Sequence, residues 1–306
     1  MSALLNERPQ TVLHTGTVDS SPPAGRDQET VRVGMSQVLL SMSLLVTWVL
    51  VYLFFLSGLE QGHAQSSLYS RFRTEVAEGT APSGAPIAPG SPVALLSVPE
   101  AGVKDQVVVE GSRSAQLQDG PGHVLGSVLP GQQGVSVIAG RSLSFGAPFS
   151  DIADLRAGAN VTVTTGQGIF VYQVLGVRTK GDPVPAAVEA GTGRLTLVTA
   201  ARGQGAGGLQ ASQTVYVDAV LAEGAAPAGP VAAVDSGAKL MSAELDTTTL
   251  ALLALGLQLL VLALVGFAYA WSRWSKAAAW IACGPCVLAA LWLVSSIGSR
   301  LLPGLI

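Results

Sequence analysis

Thiols and imidazoles are the side chains best suited to covalent or acid–base chemistry near neutral pH. This chain of 306 residues holds two cysteines and three histidines. Cys283 and Cys286 enclose Gly284-Pro285, the C-x-x-C spacing of a dithiol redox pair. Such a pair works at a helix N-terminus beside a soluble fold, and a metal site would need further ligands. Here the pair lies about two turns into an uncharged apolar run, so Pro285 reads as a helix kink and the small residues as a helix–helix contact. His123 is the only histidine between residues 93 and 222, and no cysteine occurs between residues 60 and 246. That stretch has no disulfide and no thiol nucleophile, and a hydroxyl without an adjacent base is a poor substitute. Asn160-Val161-Thr162 matches a glycosylation sequon. In a chain with the Arg-over-Lys, Ala/Gly-rich bias of a GC-rich genome it carries little weight.

The elements that could position these residues follow from hydropathy. The composition is 49% hydrophobic and only 12% charged, about half the charge of an ordinary soluble domain. The excess sits in three uncharged runs, Val38–Leu56, Leu250–Trp271 and Ala277–Ile297. Each is long enough, at about 1.5 Å per residue, to cross a hydrocarbon core roughly 30 Å thick. The first begins too late, and is too long, for a cleaved signal peptide. Between the second and third runs stand Arg273 and Lys276 with no acid, which places that loop in the cytoplasm. The N-terminal tail, with Arg32 before the first span, is then cytoplasmic as well. Residues 60–246 lie outside, while Arg300 falls on the outer side against the bias. This outer segment has 16 acidic against 11 basic side chains and no basic stripe, which excludes nucleic acid as its partner.

The organisation expected is therefore a disordered cytoplasmic tail (1–35), a first transmembrane helix (36–57), and a juxtamembrane segment with a Pro/Gly stalk (58–92). A β-rich domain (93–222) and a linker (223–248) come next. Two further transmembrane helices (249–271 and 277–298), joined by a cytoplasmic loop (272–276), and a tail (299–306) complete it. Gly79–Pro92 is a Pro/Gly/Ala/Ser spacer that would hold the domain off the membrane. From Val93 to Leu221, seven short β-branched runs alternate with Gly and Pro: Val93–Val98, Gln106–Val109, Val135–Ala139, Asn160–Thr164, Ile169–Val177, Leu195–Thr199 and Thr214–Leu221. Such spacing predicts a closed barrel or a sandwich. Phe149, Ile152 and Leu155 predict one helical turn or two.

Read in order, LLSVPEAGV, VVVEGS, LQDGPGHVLGSVLPGQQGVSVIAG, FSDIADLRAGANVTVTT, GIFVYQVLGV, GRLTLVTA and TVYVDAVL resemble the sortase family, with class D and class E of Gram-positive bacteria the nearest in look. The resemblance covers about 130 residues and does not extend to the C-terminal hairpin. It implies a mostly β, closed sortase-like barrel outside the membrane, with one transmembrane helix before it and two after. It also implies cysteine transpeptidation: a thiolate attacks a peptide carbonyl, and an amine resolves the thioester. That chemistry needs a nucleophile, a proton shuttle and an oxyanion donor. The family places a histidine after the VIAG strand, the cysteine after LTLVT and an arginine at the start of the last strand. This chain has Arg141, Ala200 and Gln213 there. An arginine cannot serve as a base near neutral pH, a methyl has no nucleophile, and an amide donates without charge.

The resemblance thus implies a pseudo-sortase with no catalytic residue, no cofactor and no metal. Arg141, His123, Thr199 and Gln213 would line a retained groove for a peptide, a surface-protein tail or an active sortase. Arg141 reads either as a solvated cleft-edge side chain or as the anchor for a ligand carboxylate, in both cases dispensable for folding. His123 reads as a loop-packing residue or as a surrogate base. Two alternatives stand beside this. One is an unorthodox hydrolase or transpeptidase using Ser142, Thr199 or His123. The other is a structural cap subunit of a membrane complex. The orientation has a direct test. In intact cells Ser272→Cys should resist a membrane-impermeant thiol reagent and Ser83→Cys should react, and the opposite pattern would reverse the topology.

Overall fold

The structure, a computed structural model, describes residues 25–201, 213–233, 247–301 and 305. The chain forms two compact units, Met1–Thr47 and Trp48–Ile306. Helix α1 (Gly25–Val51) begins well inside the segment expected to be a disordered tail, so residues 25–35 are helical. A π-helical turn (Tyr52–Leu56) leads straight into α2 (Ser57–Ala77). Among the described residues three helical stretches are long and apolar enough to cross a membrane: Met42–Ala77, Thr247–Arg273 (α4) and Lys276–Ser299 (α5).

Eight strands follow α2: β1 (Pro92–Val98), β2 (Val103–Glu110), β3 (Gly122–His123), β4 (Gly134–Ala139), β5 (Asn160–Thr165), β6 (Gly168–Thr179), β7 (Gly193–Ala200) and β8 (Thr214–Leu221). They close in the order β1-β2-β3-β4-β7-β8-β6-β5, which leaves no free edge. The alternation in β5 and β6 puts Val161, Val163, Phe170, Tyr172 and Val174 inside and their neighbours out, as a one-sided antiparallel sheet requires. β4 and β7 pair in parallel, and β7 is buried on both faces. One face joins the barrel core through Leu195 and Leu197, and the other places Val198 and Ala200 against Leu117. Leu117 belongs to α3 (Ser114–Asp119), a helix absent from the sequence expectations, as is the two-residue strand β3. The turn expected around Phe149–Leu155 is a short 3-10 turn at Ile152–Asp154.

Backbone closeness decides two glycines. Gly131, at φ +91°, donates its N–H to the Tyr172 hydroxyl at 2.6 Å, and a Cβ there would lie 2.2 Å from the Phe170 ring. Burial pushes the Tyr172 phenol up to about 12. At Gly140 a Cβ would lie 2.4 Å from the Phe149 ring.

The Pro/Gly segment is not a free spacer. Ala85 N–H donates to Pro230 O at 2.8 Å, Gln132 Nε2 to Ser83 O at 2.8 Å, and Gly90 N–H to Glu110 O at 2.8 Å. Ile87 packs on the barrel core, joined by Ala225 and Ala226 from the segment expected to be a linker. Ala226 donates to Gly131 O and accepts from Gln133 N–H. Small residues permit this close approach of backbones, so the composition that suggested a flexible stalk instead makes a strap. Residues 234–246 of that linker lie outside the described residues.

Helix α2 grips β2 through the amide of Gln65. Gln65 Nε2 donates to Val107 O at 3.1 Å and Asp119 O at 2.7 Å, and its Oε1 accepts from Val107 N–H at 2.7 Å. The side chain thus pairs with β2 as a neighbouring strand would. Phe72, 1% exposed, seals the same helix further along. Gln65→Ala leaves Val107 N–H without this acceptor. It should cost about 2–3 kcal/mol, read as a lower urea midpoint with the m-value unchanged.

Candidate active site

Strand pairing brings the three singled-out positions to one end of the barrel. Ala139 at the end of β4 lies opposite Val198, and Ala200 at the end of β7 lies opposite Thr214. Ala201 N–H donates to Gln213 O at 2.7 Å. Arg141 follows β4 by one glycine, whose N–H donates to Val198 O at 2.9 Å. The topology therefore gathers Arg141, Ala200 and Gln213, but the side chains differ from what the sequence suggested.

Arg141 is not at a cleft mouth. It is 0% exposed. Its Nε donates to Leu117 O at 3.2 Å, Nη1 to Ser144 Oγ at 3.2 Å, and Nη2 to Ser114 O at 3.1 Å and Ser114 Oγ at 2.8 Å. Its guanidinium also lies 4.9 Å from the Phe145 ring centroid, a cation–π contact strengthened by desolvation. Burial pulls its pKa down to about 10, so it stays a cation at neutral pH. The reason for the inversion is geometric: α3 and the loop after Arg141 fold over the side chain from both sides. That loop is strained, with φ +51° at Phe145 and +45° at Ala147, in the region that disfavours L side chains. Ser57 Oγ of α2 accepts from Phe145 N–H at 3.0 Å and so helps hold it.

Thr199 does not face a ligand either. It is 1% exposed, and its hydroxyl donates to Gly140 O at 2.9 Å, tying the exit of β4 to β7. Gln213 is exposed, which leaves its amide accessible at the rim. His123 is 3% exposed and saturated. Its Nδ1 lies 2.8 Å from Glu110 Oε2, and its Nε2 lies 3.0 Å from both Val128 O and Ser127 Oγ. The arrangement has the outline of a carboxylate–imidazole–hydroxyl triad, but the protons run the wrong way. A carbonyl can only accept, so Nε2 carries the proton and donates to Val128 O. The Ser127 hydroxyl donates to Val124 O at 2.7 Å and accepts from Val137 N–H at 3.2 Å. No lone pair remains on Nε2 to take the serine proton, so His123 packs the β2–β3 junction rather than acting as a base.

The decisive side chains at this end were not legible as a site. Ser114, Leu117, Ser144 and Phe145 enclose Arg141, and Leu305 completes an apolar cluster with Leu117, Ala139, Val198 and Ala200. Ala200, 3% exposed, therefore floors a filled notch and not an open groove. Ser142, next to Arg141, faces Leu305: its N–H and Oγ lie 3.1 Å and 3.2 Å from the Leu305 carbonyl. Cys283 and Cys286 are free thiols within α5 (Lys276–Ser299), whose span runs unbroken through Pro285. The described residues contain no group of His, Cys, Asp and Glu able to hold a metal ion.

Arg141 supports the fold, contrary to the expectation that it could be removed harmlessly. Arg141→Ala opens a cavity and strands the acceptors of Ser114 and Leu117. It should cost about 3–5 kcal/mol, with Arg141→Met, which keeps most of the volume, losing clearly less in the same denaturation measurement.

Residues 96–221 match the sortase domain family. Solved structures similar to this chain include a Clostridium perfringens sortase D5 transpeptidase, 21% identical, covering 53% of this chain and 99% of that one with a TM-score of 0.43. Sortase E from Streptomyces avermitilis is 28% identical, covering 45% and 91% with a TM-score of 0.37. The SrtF sortase from Corynebacterium diphtheriae is 22% identical, covering 47% and 91% with a TM-score of 0.38. No curated protein sequence matches the chain.

Proposed function

Residues 96–221 match the sortase domain family, and on that premise we propose that the chain works without catalysis. It is an accessory subunit, with the barrel outside the cell membrane, that binds a peptide or a protein partner in cell-surface assembly of a Gram-positive bacterium. The observation that carries this reading is Ala200. At the end of β7, where the family resemblance implies the thiol, stands a buried methyl packed among Leu117, Ala139, Val198 and Leu305. Removing the nucleophile from comparable covalent enzymes costs on the order of 10⁶-fold in rate. The other two positions do not compensate. A buried, hydrogen-bonded guanidinium at Arg141 cannot accept a proton, and Gln213 lacks the charge of an oxyanion-stabilising arginine.

The unorthodox-enzyme alternative is weakened by the same hydrogen bonds. Thr199 donates to Gly140, and both ring nitrogens of His123 are engaged. The structural-cap alternative draws support from the seam between the barrel and the membrane helices. Gln118 Nε2 of α3 donates to Ser299 Oγ at 2.8 Å, and Ser296 Oγ donates to Glu60 Oε1 at 2.8 Å. A barrel fastened to its own helical hairpin suits a subunit whose membrane part also takes a partner.

The full chain in detergent micelles, incubated with sorting-motif peptides and an amine acceptor, should neither cleave nor transfer them above the buffer rate. Turnover that disappears with Ser142→Ala or Thr199→Val would overturn the reading in favour of catalysis by a hydroxyl.

A further inference from the structure

The notch at Ala200 is filled from within the chain. Leu305 is 0% exposed and packs in one cluster with Leu117, Ala139, Val198 and Ala200. Its carbonyl accepts from Ser142 N–H at 3.1 Å and from Ser142 Oγ at 3.2 Å. An apolar pocket of leucine size beside a main-chain donor that takes the same residue's carbonyl is how a groove holds one residue of a peptide. The donor is rigid because Ser142 directly follows Arg141, whose guanidinium is pinned between Ser114, Leu117 and Ser144. The occupant is delivered by α5. Gln118 of α3 donates to Ser299 Oγ at 2.8 Å and to Ser296 O at 3.3 Å, and Arg300 Nε donates to Gln118 Oε1 at 3.4 Å. The end of the last helix is therefore clamped to the rim of the site that Leu305 enters.

We propose that Leu305 is an intramolecular occupant of this site. It takes the place a partner peptide's apolar residue would take, and the site becomes available only when Leu305 leaves. The inference rests on the non-catalytic reading in one respect: the methyl at position 200 provides the room that Leu305 fills. It goes beyond that reading by making access to the site depend on the C-terminal helical hairpin. Movement of α5 in the membrane, for example against a partner helix, would pull on Gln118 and on Leu305 together.

The test uses the full chain in detergent micelles with Cys283→Ala and Cys286→Ala, so that Ala200→Cys supplies the single thiol, labelled with a bulky fluorescent maleimide. With Leu305 in place, labelling should be slow relative to a Ser83→Cys control in the same background. Leu305→Asp should raise the Ala200→Cys rate at least about tenfold, the factor a buried leucine side chain contributes, and leave the Ser83→Cys rate unchanged. Leu305→Ala, which adds no charge, should raise it in the same direction if the effect is local and not a loss of fold. A synthetic peptide with the sequence of residues 300–306, at about 1 mM to match the effective concentration of a short tether, should restore protection to the Leu305→Asp chain. Equal labelling with and without Leu305 overturns the proposal, and so does release that the peptide fails to reverse. The peptide-cleavage assay reports separately: turnover there overturns the non-catalytic reading and leaves the labelling result standing.

Discussion

A guanidinium withdrawn from water keeps its charge only where protein acceptors replace the solvent, and they must be rigid enough to stay in place. Arg141 imposes that condition on one end of this barrel. Its acceptors come from α3, through Ser114 and Leu117, and from its own loop, through Ser144, with Phe145 stacked alongside. The loop is in turn held by Ser57 of α2, and α3 grips α5 through Gln118. One buried cation thus connects α2, the barrel rim and α5. Its depressed pKa, about 10, records the cost of its burial.

The same constraint shapes the surroundings of Ala200. A buried arginine at position 141 requires α3 and the following loop to close over it. Leu305 packs beside them, in one cluster with Leu117, Ala139, Val198 and Ala200. This end of the barrel is therefore a packing centre, with apolar burial on the β7 face and hydrogen-bond satisfaction on the Arg141 face.

The seam with the membrane helices follows a related rule. Polar groups at the edge of an apolar span are costly unless paired. Tyr52 donates to Glu60 Oε2 at 2.9 Å, Ser296 donates to Glu60 Oε1, and Trp48 Nε1 donates to Ser295 Oγ at 3.0 Å. Tyr52 also meets the Trp292 ring edge-on at 5.9 Å. Just above, burial raises the Asp119 carboxyl above its ordinary value against the pull of Arg300. Helices that would otherwise meet only through apolar side chains are thereby given a fixed register with each other and with the barrel.

Local pattern was enough for the three apolar helices and for seven of the eight barrel strands. Hydropathy, period-2 alternation and a short motif are properties of a few consecutive residues, so they can be read without knowing what packs where. Tertiary structure alone decided the environment of those residues. Arg141 is a surface-type side chain by composition, and only the closure of α3 and its own loop makes it a core element. Gly79–Pro92 has the composition of a flexible spacer, and only its pairing with Gln132 and Pro230 makes it a strap. His123 has the outline of a base, and only the acceptor at Val128 O shows where its proton must sit. Leu305 is one leucine in an apolar tail, and it reaches Ala200 across more than a hundred residues because α5 carries it back to the barrel rim. Burial and hydrogen-bond partnership across such separations are set by the folded chain, and no local pattern encodes them.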